Sequence, residues 1–327
     1  MIGPGRRNLI TDVDGLRVGH ATDAAAGTGV TVLVCPGDGW TASVDIRGGG
    51  PAVRETQTLD PENLVGRAHA ITLSGGSVYG LAAADGAVIA LAGLGVGLRL
   101  KAGTPPIPIV PAACLHDLAG PGDKDWGDDP PYRALGVAAT LAAAEDFALG
   151  SVGAGTGAQA GQVKGGIGSA SIDLGGGLVV GALIAANPVG SVFMPDGTTY
   201  WAWPFEIGEE FGGRTPSGPG GALDPMPDET KMGGRLMAGA NTSLGVVAVT
   251  ARLTSAECKR FAMMAQDGLA RAIRPAHTPF DGDLVFGLAS GVVEIGEGPM
   301  RAVQLARLGS AAADCLARAV ARAVYEA

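Results

Sequence analysis

The chain has 327 residues, of which 46% are hydrophobic and 17% charged, with a formal net charge of −9. That is enough apolar material for a sizeable core and excludes an unfolded, solvated chain, while the acidic balance argues against a broad nucleic-acid or anionic-membrane surface. Glycine is the outlier at 55 residues, which points to tight turns and close backbone approaches rather than long plain helices.

In chain order, NLITDVDGLRVGH opens with a short apolar run and two acids, Asp12 and Asp14, in a turn-prone setting. Val30 to Cys35 is short and β-branched, the pattern of a buried strand. Ala42 to Arg47 alternates like a partner strand, with Pro36-Gly37-Asp38-Gly39 as the connecting turn. Ala70 to Leu73 is another strand, and Ser74-Gly75-Gly76-Ser77 feeds a helical stretch from Val78 to Leu94. A Gly-rich turn of that kind can present free N–H groups to an anion, or simply join strand to helix. Lys101 to Pro111 is extended, and a second Ala-rich helix is expected over Tyr132 to Leu149. The run GAGTGAQAGQVKGGIG lacks the GK[ST] ending of a P-loop and the context of a dinucleotide site. Leu178 to Ala186 is a strongly apolar strand closed by Asn187-Pro188. Residues 204–235 form a Gly/Pro-rich stretch without hydrophobic period, too long for an ordinary connection and so expected to be functional or mobile. Leu244 to Leu253 is a strand, and Thr254-Ser255-Ala256-Glu257 is a capping box for a helix to about Ile273. Leu284 to Leu288 follows as a strand with a hairpin partner at Val292 to Ile295, and a helix from Ala302 to Glu326 ends the chain. Strands mixed with covering helices predict a layered α/β or α+β architecture in one domain over residues 1–327.

Cys35, Cys114, Cys258 and Cys315 are isolated and read as reduced and buried. His20, His69, His116 and His277 show no metal-ligand spacing, so neither a metal nor another cofactor is expected. The N-terminus carries no signal-peptide core, and no uninterrupted apolar run reaches membrane-spanning length; the expectation is a cytoplasmic chain without nucleic-acid or membrane partners.

The stretch Ala238-Gly239-Ala240-Asn241-Thr242-Ser243-Leu244-Gly245-Val246-Val247 places an Asn-Thr bond between that long loop and a buried strand. Taken alone, this is a loop entering a strand, with Thr chosen for its β-propensity. It is also a place where a chain could cut itself and leave Thr242 at a new N-terminus. A Thr hydroxyl is a poor nucleophile without a base, and a freed α-amine, with an ordinary pKa of about 7.7–8.0, is such a base. An oxyanion donor and orienting acids would still be needed. Asp281 and Asp283, flanking Gly282, are candidate acids or a solvated turn; Asn187 is a candidate oxyanion donor or a plain Asn-Pro turn. Tyr79 and Lys164 are candidates for a phenolic hydrogen bond and an electrostatic aid, or a core tyrosine and a surface lysine.

Several spaced motifs together, ITDVDGLRVGH, LSGGSVYGL, GAGTGAQAG, AANPVG, AGANTS and HTPFDGDLVF, resemble the DmpA-type family of self-processing N-terminal-nucleophile aminopeptidases. Within it they resemble the subgroup of 6-aminohexanoate-oligomer (nylon) hydrolases. The resemblance implies an αββα sandwich similar to that of ornithine acetyltransferases. It implies Thr242 as nucleophile, with self-cleavage after Asn241 into an α chain of 1–241 and a β chain of 242–327. It further implies Asp281 and Asp283 as acids orienting Thr242 and its amine, Asn187 on the oxyanion side, and Tyr79 in the active site. The family lysine falls at Gln162, with Lys164 two residues on as a substitute. Typical D- and β-aminopeptidases of the family carry Ser as nucleophile, whereas Thr is the residue of the nylon hydrolases. The activity implied is hydrolysis of amide bonds in short oligomers or peptides through a Thr acyl-enzyme, by αβ units assembled as a homotetramer. The alternatives are an aminopeptidase for D- or β-amino N-terminal residues, an acyltransferase, or a non-catalytic binding protein on the same fold.

Overall fold

The computed structural model describes residues 2–218, 224–227, 229–231 and 241–327. Residues 238–240 of the junction and parts of the 204–235 stretch lie outside the described residues.

The strands are β1 (Arg17–Asp23), β2 (Thr28–Val34), β3 (Trp40–Ile46), β4 (Ala52–Arg54), β5 (Arg67–Ala68), β6 (Ala70–Ser74), β7 (Ala112–Cys114), β8 (Gln159–Ala160), β9 (Val163–Lys164), β10 (Gly166–Asp173), β11 (Val179–Asn187), β12 (Thr242–Ala251) and β13 (Leu284–Val293). The helices are α1 (Ala83–Gly93), α2 (Tyr132–Leu141), α3 (Ser255–Ala272) and α4 (Gly298–Tyr325). A five-stranded sheet runs β1-β2-β6-β7-β4 and a six-stranded sheet runs β10-β11-β12-β13-β3-β5. The sheets stack on a core that includes Leu33, Ile71, Leu73, Leu183, Val246 and Phe286. α1 and α2 cover the outer face of the first sheet over Val30 and Val32. α3 and α4 cover the outer face of the second, with Phe261, Leu269 and Leu316 against Val247 and Val249. The result is the expected αββα sandwich.

Strand β12 shows why its sequence is apolar from Leu244 to Val249. Leu244, Val246 and Ala248 point into the core between the sheets, whereas Val247, Val249 and Ala251 point to α3 and α4. A strand covered on both faces has no polar side to display. The predicted capping box of α3 is present: Glu257 N donates to Thr254 Oγ1 at 3.2 Å, and Thr254 N donates to Glu257 Oε2 at 2.8 Å.

Three local expectations are corrected. β2 and β3 do not form a hairpin across Pro36–Gly39; β2 pairs with β1 and β6, while β3 lies in the other sheet against β13 and β5. The turn therefore carries the chain between layers. Leu284–Val293 is one strand rather than a hairpin, parallel to β12 and antiparallel to β3. α2 stops at Leu141 rather than Leu149, because Ala144 exchanges backbone hydrogen bonds of 2.9 and 3.0 Å with Val18 of β1.

The 204–235 stretch is tied to the last helix through Glu210. Arg318, fully buried on α4, is paired with Glu210 and also donates to Ser171 O at 2.9 Å and Asn8 Oδ1 at 2.8 Å. Among the described residues no helix is long and apolar enough to cross a membrane.

Candidate active site

The last residue of β11 and the first of β12 are directly opposite in an antiparallel ladder, Asn187 with Thr242. β12 runs parallel to β13 with Leu244 beside Leu284, and a further bridge joins Asn241 to Asp281. The Asn-Pro stop after β11, the Asn-Thr junction before β12 and the Asp-Gly-Asp run before β13 thus meet at one end of the six-stranded sheet. Pro188 has no N–H to extend the ladder, which is why β11 ends there.

Thr242 is 1% exposed, and its hydroxyl donates to the Asn241 carbonyl oxygen at 2.5 Å. The backbone N–H of Gly282 donates to the same oxygen at 2.7 Å. A Cβ at position 282 would lie 2.7 Å from Thr242 Oγ1 and 2.9 Å from Gly50 O. Only glycine lets the 281–283 backbone come so close to the hydroxyl. The Gly48–Gly50 run closes the other side, with Gly48 N donating to Asp283 O at 3.0 Å and Gly50 N to Asp281 O at 2.9 Å.

Both acids are fully buried and accept from the 277–278 turn. Asp283 Oδ1 accepts from Ser243 N at 2.7 Å, and its Oδ2 accepts from His277 N at 3.1 Å and contacts His277 Nδ1 at 3.0 Å. Asp281 Oδ1 accepts from Val189 N at 3.0 Å, and its Oδ2 from Thr278 N at 3.0 Å and Thr278 Oγ1 at 2.5 Å. Burial, and then the negative charge of Asp283, push the Asp281 carboxyl above its ordinary value. The acids fasten the backbone around Thr242: Asp283 grips the next residue, Ser243, and Asp281 ties β11's exit to the 278 turn. His277, absent from the sequence-derived site, sits with φ at +56°, a left-handed conformation that a non-glycine residue adopts only when its surroundings enforce it. Its Nε2 is buried without a hydrogen-bond partner among the described residues. An open cleft of about 370 Å³, lined by Trp201, Arg271, Arg274 and His277 among others, reaches this ring from outside.

Asn187 is 1% exposed and its amide orientation follows from its partners. Oδ1 accepts from Gln159 N at 2.9 Å, and Nδ2 donates to His116 O at 3.3 Å. The second donor to Oδ1 is Lys231 Nζ at 3.0 Å, which also reaches Asn187 O at 3.3 Å. Sequence reasoning missed Lys231, because it lies in a stretch with no hydrophobic period. Its backbone N–H is held by Val189 O at 3.0 Å, and burial pushes its ammonium down to about 7 against the opposing pull of Asp281.

The remaining candidates lie farther out. Lys164 is exposed on the β8–β9 hairpin, opposite Gln159. Gln162, at the turn of that hairpin, donates through Nε2 to Thr230 O at 3.4 Å, beside Lys231. Tyr79 is 51% exposed on the short helical turn Ser77–Ala82, its ring edge-on to Trp126 at 5.9 Å. That turn is anchored by Gly76 N on Asp117 Oδ1 at 2.7 Å and Ser77 N on Leu115 O at 2.9 Å. Between those two anchors, His116 supplies the carbonyl that takes the Asn187 amide. Tyr79 therefore stands on a wall linked to the site through one short segment. Asp117 is buried, and its burial raises its carboxyl above the ordinary value.

The chain matches the family described as Peptidase family S58 over residues 8–327. An uncharacterized aminopeptidase of Mycobacterium tuberculosis is 43% identical, over 98% of this chain and 94% of the relative. A 6-aminohexanoate-oligomer endohydrolase of Agromyces sp. is 28% identical, over 89% of this chain and 77% of the relative. Among solved structures, a beta-aminopeptidase of Burkholderia sp. superposes with a TM-score of 0.71 at 24% identity, covering 99% of this chain and 88% of that one.

Proposed function

We propose that this chain, which belongs to peptidase family S58, cuts itself between Asn241 and Thr242 and then hydrolyses amides with Thr242 as an N-terminal nucleophile. The family read from the spaced motifs is thereby the family of the chain, and a peptidase or amidohydrolase is its general kind. The observation that carries the self-processing reading is the contact of the Thr242 hydroxyl with the Asn241 carbonyl, whose oxygen already rests on the Gly282 N–H. Attack by Oγ1 on that carbonyl carbon places negative charge on an oxygen that has a fixed donor at 2.7 Å.

In the processed protein the α-amine of Thr242 takes the hydroxyl proton, directly or through a water, as Oγ1 attacks the substrate carbonyl. With Asn241 withdrawn, the Gly282 N–H faces the place where the substrate oxyanion forms. Asn187, whose side chain shares that face with Thr242, supplies the polar wall. Water then releases the acid product. The piece 242–327 contributes β12 and β13, which lie between β11 and β3 of the piece 1–241, so the two chains stay joined by sheet hydrogen bonds after the cut.

The substrates we infer are short linear peptides or oligomers with a free amino end. The aminopeptidase name of the M. tuberculosis relative favours trimming of N-terminal residues, and the 6-aminohexanoate-oligomer endohydrolase name of the Agromyces relative favours 6-aminohexanoate-like oligomers. Assembly of the αβ units into a homotetramer belongs to the same proposal. Denaturing gels and intact masses should show two chains meeting at Asn241/Thr242, and Thr242→Ala should remain one chain without amidase activity. An uncut wild-type chain with full amidase activity would overturn the mechanism. A side-by-side assay on 6-aminohexanoate oligomers, β-Ala and D-Ala amides, and acetylornithine with glutamate separates the substrate classes and an acyl transfer from hydrolysis.

A further inference from the structure

We propose that Lys231 is the general base of the self-cleavage step, an inference that rests on the processing read above for Asn241 and Thr242. The need is chemical. Before the cut, the nitrogen of Thr242 is an amide whose lone pair is delocalised, so it cannot take the hydroxyl proton. The base that serves the mature enzyme does not yet exist. The two nearby acids are occupied: each oxygen of Asp281 and Asp283 already accepts from a backbone N–H.

The geometry points to Lys231. Its Nζ stands 3.0 Å from Asn187 Oδ1, and Asn187 is the direct antiparallel partner of Thr242. Side chains so paired stand on one face with Cβ atoms roughly 4.5–5.5 Å apart. The amine thus sits on the cross-strand partner of Thr242, and the transfer we infer runs from Oγ1 to Nζ directly or through one water. Burial holds its titration down to about 7, so a large share of it is neutral where a cell operates. The charged group acting on it is Asp281, which opposes that shift; Asp281 is in turn acted on by Asp283, whose Oδ2 contacts His277 Nδ1. No carboxylate among the described residues lies within ion-pair distance of its Nζ, which leaves the amine free to exchange a proton.

The step balances without a further reactant until hydrolysis. The hydroxyl turns its proton from Asn241 O to Lys231 Nζ while Oγ1 bonds to the Asn241 carbonyl carbon. The carbonyl electron pair moves onto the oxygen held by Gly282 N–H. Collapse breaks the C–N bond, and Lys231 returns the proton to the leaving nitrogen of Thr242. The ester between Asn241 and Thr242 Oγ1 is then hydrolysed by water, giving the Asn241 carboxylate and the free Thr242 hydroxyl. Lys231 ends as it began.

The test follows processing of the full-length chain by intact mass. Lys231→Met should slow cleavage by about 10²–10⁴-fold. The sharper arm is Lys231→Cys, purified uncut and then alkylated with 2-bromoethylamine, which builds a lysine-like amine of lower basicity; the four native cysteines are buried. Alkylation should restore cleavage, with the pH midpoint of the rate moved below that of the wild-type chain. Alkylated and untreated samples come from one preparation, so a folding defect does not imitate this result. Cleavage of Lys231→Met at the wild-type rate would overturn the assignment, as would alkylation that restores nothing or restores an unshifted midpoint. A wild-type chain that never cuts at 241/242 would instead remove the processing reading itself, and this inference with it.

Discussion

The backbone N–H of Gly282 donates to the carbonyl oxygen of Asn241 at 2.7 Å, and a Cβ on Gly282 would stand 2.7 Å from the Thr242 hydroxyl. One residue thus meets two demands, a donor on the Asn241 carbonyl oxygen and an empty space for the Thr242 hydroxyl. The Asp-Gly-Asp run is built around that pair of requirements, with its two acids fastening the segment on either side.

Gly282→Ala is accordingly expected to fold and to process poorly. The added methyl displaces either the hydroxyl or the 281–283 backbone, and the carbonyl loses its aligned donor. Loss of one such donor costs about 10²–10³-fold in rate. Time courses of chain cleavage by denaturing gel, beside a thermal melt of the uncut chain, check it; wild-type processing would contradict the role given to this N–H.

Asp283→Asn keeps shape and removes charge, but it places an amide N–H₂ against backbone donors. Both carboxylate oxygens now accept from N–H groups, at Ser243 and His277. One of these is left unsatisfied in a fully buried place, at a cost of about 1–3 kcal/mol. The expected result is a lower denaturant midpoint together with slower processing, because the start of β12 is no longer held.

Lys231 makes a stability prediction whose sign opposes that of an ordinary surface lysine. Its folded-state value is depressed from 10.5 to about 7, so between those values the unfolded chain binds a proton that the folded chain does not. Stability from this group therefore rises with pH across about 7 to 10.5 and is lost as pH falls toward the lower value. Asp281 acts with the opposite sign: its raised carboxyl costs the folded state stability as pH rises above the ordinary carboxylate value. Melting curves of the uncut Thr242→Ala chain should shift upward from pH 7 to pH 9, and adding Lys231→Met should flatten that shift.

Arg318→Ala takes from the buried Glu210 carboxylate its nearest cationic partner, leaving it Asn8 Nδ2 at 2.6 Å, and removes a donor from Asn8 Oδ1 and Ser171 O. Breaking a buried pair in this way costs about 3–5 kcal/mol. Chemical denaturation should show that loss. Because Arg322 remains 3.9 Å from Glu210, removing both arginines should cost more than either alone.

Much of the fold could be read locally. β-branched runs became strands, Thr254 and Glu257 capped α3 as their spacing required, and the helix expected at the end of the chain is α4, with Leu308, Ala312, Leu316 and Val320 inside. Periodicity reports burial, and burial is a property of the segment itself. It does not report which strand is the neighbour. The Pro36–Gly39 turn has hairpin composition yet joins two sheets, and Val292–Val293 continues β13 rather than returning along it.

The site divides in the same way. Thr242 between Asn241 and an apolar run, Asn187 before proline, and two acids around a glycine are visible in the sequence because each ends or begins a strand, where the chain marks itself with turn residues. The chain also carries, in its motifs, the family to which it belongs. Lys231, His277 and the Gly282 N–H are different. A lysine in a Gly/Pro-rich stretch carries no local sign that it will be buried, and a backbone N–H has no residue type to announce it. Only the packing of β11, β12 and the 277–283 turn decided that this lysine meets Asn187 and that this N–H meets the Asn241 carbonyl. Those contacts join positions 40 or more residues apart, such as Lys231 with Asn187 and Ser243 with Asp283, and no local pattern can encode them.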